Sequence, residues 1–372
     1  MKANKKIGLV AGVVLFAAYF FTAARPIPLE TVLIPCWLSS TESGIPVYFD
    51  GTDHQDGEND ADRLPSRQRI PFSLDNRFGY ISRDGLLSVN QIKKTNVSLS
   101  PERWAEYEAE PERIEINDSD GETITVIQNP RGYPFFLDER TFLIGSEQNV
   151  ISEMNESGDV VWTYEFASPL TCVDSAAGLV LTGSLDGVAA VLDSRGKQVF
   201  SFEPGGSRYP VILGCALSRD GLWLAIVSGV DDQRFLILER FGNSLGDYKV
   251  VYHEFLGDGF RRPVHITFVE HDRWVVFERG EGLGFYEISS RKSEKVELPG
   301  KISAIDHSGG QGMVFVVISR FEDTHELIGI KLPGRIIIES PFRSGEVFLG
   351  RMDSRLVIGG GQTLASFDLE KR

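Results

Sequence analysis

Residues 170–202 read LTCVDSAAGLVLTGSLDGVAAVLDSRGKQVFSF, and the punctuation of this stretch decides the fold. Four short apolar runs alternate with three tight turns. Val173 opens the first strand, Gly178 to Gly183 form the second, Val188 to Leu192 the third and Gln198 to Phe202 the fourth. The turns Ala176-Ala177-Gly178, Ser184-Leu185-Asp186-Gly187 and Asp193-Ser194-Arg195-Gly196-Lys197 each carry a glycine where hairpins often need positive φ, a conformation that strains other residues. Such a unit is one antiparallel meander, and alone it cannot bury its two faces.

The same grammar recurs along the chain. Ser82-Arg83-Asp84-Gly85-Leu86-Leu87 is echoed by Ser218-Arg219-Asp220-Gly221-Leu222-Trp223, and Val150 to Phe166 repeats the later half of the unit around the turn Asn155-Glu156-Ser157-Gly158-Asp159. Candidate units fall at 78–116, 123–166, 170–208, 211–255, 264–298, 302–339 and 345–369. Their spacing of roughly 35 to 45 residues is that of propeller blades. The expectation is therefore an all-β propeller of seven four-stranded blades, with six or eight as neighbouring counts. A β-sandwich pair and an open solenoid fit less well, because sandwiches seldom keep one hairpin phase over so many units and solenoid coils are shorter and more uniform.

The last unit is one strand short, and Ile45-Pro46-Val47-Tyr48-Phe49 is expected to supply the missing strand and close the ring, removing exposed sheet edges. One helix is expected: Ser100 as its cap, Pro101 at its first position and Glu102 to Glu108 as its two turns.

Ahead of the repeats, Lys2, Lys5 and Lys6 precede an uncharged run from Ile7 to Ala24. As a helix that run reaches roughly 27 Å, enough to cross a hydrocarbon core. The lysines predict a cytoplasmic N-terminus and an exported remainder. The organisation expected is thus a signal anchor or transmembrane helix at 1–25, a tether with the closing strand and an acidic loop at 26–70, and the propeller at 71–372 on the extracytoplasmic, periplasmic side. Thr22-Ala23-Ala24 leaves cleavage of the segment open. The acidic cluster between Asp50 and Asp62 lacks the spacing of an EF-hand and reads as a solvated loop.

Composition narrows the function. The chain has 372 residues, 42% of them hydrophobic, enough for a large packed core. Its 53 acidic against 38 basic residues give a formal charge of -15, which repels phosphate backbones and argues against nucleic acid as a partner. Cys36, Cys172 and Cys215 form at most one bridge and contain no Cys-x-x-Cys pair. Cys172 and Cys215 lie in apolar stretches of successive units, where a buried cysteine behaves as a small hydrophobe.

The quoted blade, with Val191-Leu192-Asp193-Ser194-Arg195-Gly196-Lys197, resembles the repeat of pyrroloquinoline-quinone-type propellers, including the propeller lipoprotein of the outer-membrane β-barrel assembly machinery. The Ser-Arg-Asp-Gly segments look like the corresponding turn of WD40 and TolB-type propellers. The resemblance covers one blade and part of a second, and it implies a structural or binding propeller. Quinoprotein enzymes of that superfamily carry vicinal cysteines, which this chain lacks, and the tryptophan expected near the end of the fourth strand stands at Trp162 while Val199-Phe200 fills that place in the quoted blade.

No other chemistry is signalled. The six histidines have no metal spacing, Gly-x-Ser-x-Gly and Walker loops are absent, and Gly280 to Gly284 and Gly359 to Gly361 read as hairpin glycines. No catalytic residue, cofactor or metal ligand is assigned. Three junctions between blades do carry interface chemistry: Arg131 and Tyr133, Arg208 and Tyr209, and Phe260, Arg261 and Arg262. The function expected is a membrane-anchored, non-catalytic scaffold for other envelope proteins. The alternative is a ligand-binding or hydrolytic propeller using its central channel.

Overall fold

The computed structural model describes residues 31–49, 69–257, 259–306 and 310–371. Among them thirty-two strands form eight antiparallel sheets. β1 (Thr31–Ser40) and β2 (Pro46–Tyr48) come first in the chain but belong to the last sheet. Blade one is β3 (Arg69–Leu74), β4 (Arg77–Ser82) and β5 (Leu87–Ile92). Blade two is β6 (Asn96–Leu99), β7 (Arg103–Tyr107), β8 (Arg113–Asp118) and β9 (Thr123–Gln128). Blade three is β10 (Tyr133–Leu137), β11 (Arg140–Ile144), β12 (Val150–Met154) and β13 (Val160–Glu165). Blade four is β14 (Leu170–Ala176), β15 (Leu179–Ser184), β16 (Ala189–Leu192) and β17 (Gln198–Phe202). Blade five is β18 (Ile212–Leu217), β19 (Trp223–Ser228), β20 (Gln233–Arg240) and β21 (Tyr248–Gly257). Blade six is β22 (Ile266–Val269), β23 (Trp274–Arg279), β24 (Gly282–Glu287) and β25 (Lys292–Glu297). Blade seven is β26 (Lys301–Ile305), β27 (Met313–Phe321), β28 (Thr324–Lys331) and β29 (Arg335–Arg343). Blade eight adds β30 (Val347–Met352), β31 (Arg355–Gly360) and β32 (Thr363–Lys371) to β1 and β2, in the order β2-β1-β32-β31-β30.

The propeller therefore has eight blades, not the seven expected. The units expected at 78–116 and 123–166 straddle three sheets. The expected helix is the turn between β6 and β7 followed by strand β7: the Ser100 hydroxyl accepts from the Arg103 amide at 3.0 Å, the bond of a helix cap serving a hairpin instead. The ring is closed by β1, whose residues Thr31 to Ser40 pair with β32 through a bulge at Cys36, directly after Pro35. The segment expected to close it forms β2, outside β1.

The expected membrane anchor is also corrected. Among the described residues no helix is long and apolar enough to cross a membrane, and a three-residue 3₁₀ turn at Gly310–Gly312 stands against thirty-two strands. Residues 1–25 lie outside the described residues. The expectations of a transmembrane helix, a membrane partner, envelope partners and a periplasmic location have no support among the described residues.

Burial follows position in the blade. The inner strands β15 and β18 are buried at every residue, whereas β17 at the rim alternates with solvent. Neighbouring blades dock through a repeated device. In blades two, three, four, five and seven the turn between the third and fourth strands carries a glycine pressed against the fourth strand of the preceding blade: Gly121 on Val89, Gly158 on Val126, Gly196 on Trp162, Gly246 on Val199 and Gly334 on Val296. Gly85, between β4 and β5, meets Trp37 of β1 in the same way, which makes the strands of blade one the second to fourth of a normal blade. Accordingly β3 runs opposite to β30, with Ile70 against Gly350 and the Asp75 amide donating to Glu346.

Cross-blade bonds stitch the ring. Tyr80 donates to Ser100 O (2.9 Å), Arg103 to Thr141 (3.0 Å) and Arg140 to Ser175 (3.0 Å). Asp174 accepts from the Leu217 amide (2.7 Å), Asp272 from Arg219 (2.9 Å) and Glu270 from Gly312 (2.5 Å). Arg351 bonds Asp306 at 3.3 Å.

Candidate interaction surface

Strand count decides which loops share a face. In a four-stranded antiparallel blade, the link from the fourth strand to the next blade emerges on the same side as the turn between the second and third strands. This side is the linker face, and it carries all three expected junctions.

The junction of blades four and five is tightly fixed. The carboxylate of Asp231, in the turn after β19, binds the Ser207 hydroxyl and the Arg208 amide (3.4 Å), and lies 3.8 Å from the Arg208 guanidinium. The Ser207 bond, helped by backbone amides, lowers the Asp231 pKa to about 2, so the clamp stays ionised across the physiological range. Gly229 and Val230 donate to the carbonyls of Val211 and Tyr209. Tyr209, 62% exposed, is thus held out to solvent by a rigid frame.

Beside it, Gly206 (φ +81) leaves the space that the Arg234 guanidinium fills, and Arg234 lies 4.9 Å over the ring of Phe255, itself 57% exposed. Leu185 is exposed in the neighbouring turn, whose Gly187 packs on Pro210.

The junction of blades five and six is built on two buried polar side chains. Gln233 donates to Gly229 O (3.1 Å) and Phe260 O (3.3 Å), tying the two junctions together. Glu278 receives both arms of Arg262 at 2.9 and 3.0 Å and the His265 amide at 2.7 Å. These bonds raise the pKa of Arg262. Its guanidinium covers Phe260 at 4.3 Å, while Arg261 points into solvent. Further out, Arg279 pairs with Glu254 at 3.0 Å.

Five of the seven expected residues therefore gather across blade five. Arg131, exposed, and Tyr133, half-buried against Tyr107 at 5.7 Å, stand on the same face at the junction of blades two and three. Arg131 lines a cleft of about 670 Å³ between those blades, whose walls come from β9, β11, β12 and β13 and not from the axis. Sequence reasoning missed Arg234, Phe255 and Leu185. Arg234 and Phe255 stand on strands, where an apolar or long side chain reads as core, and Leu185 sits in a hairpin turn remote in sequence from the junctions.

Among the described residues no group of three His, Cys, Asp or Glu side chains is placed to hold a metal ion. The surface offers contact chemistry: broad rings, directed guanidinium donors and little that has to be ordered on binding.

An uncharacterized protein of Treponema pallidum (strain Nichols) is 28% identical over 306 residues, covering 81% of this chain and 78% of that protein. Among solved structures, BamB from Moraxella catarrhalis aligns with a TM-score of 0.54 at 12% identity, covering 82% of this chain and 97% of that one. The computationally designed Ika8 protein aligns with a TM-score of 0.58 at 15% identity, covering 82% and 94%. A chain of the mitotic checkpoint complex gives 0.54 at 11%, covering 87% and 98%. These likenesses are of fold alone. A family described as beta-propeller protein matches residues 1–371, and the chain belongs to that family.

Proposed function

We propose that this propeller is a non-catalytic protein-interaction scaffold that docks its partner on the linker face across blades four to six. The observation that carries the reading is the convergence of Tyr209, Phe255 and Phe260 with Arg208, Arg234, Arg261 and Arg262 on a frame already held by Asp231, Gln233 and Glu278. Aromatic and arginine side chains dominate the energetic centres of protein interfaces, and a pre-ordered frame lowers the entropy lost on docking. A propeller suits such a role because its rigid ring holds loops from several blades in fixed relation. Trp37 and Trp162, each seated on a glycine of the next blade, also support a kinship with pyrroloquinoline-quinone-type blades.

The test places a photo-crosslinking residue at Tyr209, at Arg261 and, as a control on the opposite face, at Arg195. The reading expects one reproducible adduct shared by the first two positions and absent from the third. Adducts from Arg195 alone, or equally from all three, would overturn it.

A further inference from the structure

We infer that Cys172 and Cys215 are a latent cross-blade disulfide, a covalent modification site closed by a low-molecular-weight disulfide. Both thiols are free in the structure, Cys172 half-buried on β14 of blade four and Cys215 buried on β18 of blade five. The two strands are pinned on either side of the pair. Thr171 Oγ1 donates to Ile212 O at 2.5 Å, and Asp174 accepts from the Leu217 amide at 2.7 Å. Cys172 and Cys215 have the same sequence offset as Asp174 and Leu217 and fall between these bonds.

Gly183 permits the close approach, since a Cβ there would come within 2.6 Å of the Cys172 sulfur and collide with Ile212. The Cys215 thiol donates to Leu181 O at 3.8 Å, and the neighbouring Cys172 thiol together with burial raises the Cys215 pKa well above its usual value. Cys215 is therefore the poorer first nucleophile, and the more exposed Cys172 reacts first.

The Cys172 thiolate attacks one sulfur of the small disulfide, forming a mixed disulfide and releasing one thiol. Cys215, deprotonated as it attacks, then displaces the second thiol from the Cys172 sulfur. Two protein thiols are oxidised to one S–S bond, and one small disulfide is reduced to two thiols. The bond would tie blade four to blade five directly beneath the link that carries Arg208 and Tyr209.

The experiment treats the native full chain with oxidised glutathione, blocks the remaining thiols and maps peptides without reduction. The inference expects a linked Cys172–Cys215 peptide, loss of two hydrogens in the intact mass and a thermal midpoint raised by several degrees. Cys215→Ser should stop at a glutathione adduct on Cys172, and Cys36→Ser should behave as the parent. A native chain that keeps both thiols, carries a stable Cys172 adduct with Cys215 intact, or forms the bond only after denaturation would overturn the inference.

Discussion

Replacing Arg351 by methionine should expose how much of the ring depends on one buried cation between blades seven and eight. The Arg351 side chain is fully buried and that of Asp306 is 2% exposed. The guanidinium also donates to the carbonyls of Met313 (3.1 Å), Gly310 (2.6 Å) and Asp353 (2.8 Å), and lies 5.5 Å from the ring of Phe315. Removing one member of a buried ion pair is strongly destabilising, at about 3–5 kcal/mol. At about 2.1 cal/mol/K per residue, a chain of this length has an unfolding entropy near 0.8 kcal/mol/K, so a loss of ~4 kcal/mol lowers the midpoint by roughly 5 °C. Differential scanning calorimetry and urea titration measure this. The double variant Arg351→Met/Asp306→Leu should recover most of the loss, because it removes the charge together with its partner. A single variant that loses less than about 1 kcal/mol, or a double variant no better than the single one, would refute the reasoning.

Asp174 predicts a pH dependence. Burial raises its pKa to about 6 against the opposing pull of the Leu217 and Ser175 amides, so the folded chain favours the protonated acid. The stabilisation is present below the unfolded value near 3.8 and is lost as pH rises through 6, an amount of roughly 3 kcal/mol. Urea midpoints of the parent measured against Asp174→Asn should diverge over that window and run parallel above it; parallel curves throughout would count against the assignment. Gly196→Ala should cost about 2–4 kcal/mol, since Gly196 has φ +73 and its Cβ would sit 2.5 Å from the Trp162 ring; an unchanged midpoint would contradict the docking device. Tyr209→Ala with Arg261→Glu should move stability by no more than about 0.5 kcal/mol while abolishing the shared crosslink adduct; a folding defect would assign these residues to structure instead.

The blades that were legible in sequence are those with the deepest burial. β15, β16 and β18 are buried at every position, are rich in apolar residues and are bounded by glycine turns, so blades four and five stand out. Blades one and two are thinner, with strands such as Asn96–Leu99 and Arg103–Tyr107 that bury few residues, and their hairpin at Ser100 uses the same hydroxyl-to-amide bond as a helix start. The closing strand was hidden because Pro35 directly precedes its bulge and the polar residues after it resemble a tether. Trp37 consequently escaped notice as a partner to Trp162, although its indole nitrogen donates to Arg83 O at 2.8 Å across the seam. For the interaction surface, composition at blade junctions was visible. The frame was not, since Asp231, Gln233 and Glu278 reach it from strands and turns remote in sequence.

The seam between β1 and β32 also fixes how the ring responds to force. Thr31 lies opposite Lys371, so a pull applied at these two positions enters at one end of the ladder and opens its rungs in succession instead of shearing them together. The circle should therefore yield first at this zipper under low tension, even where its resistance to heat is high. Single-molecule stretching from those positions should show early release of β1, and a handle moved to Ser40 should load the same bonds in parallel and demand a markedly greater force.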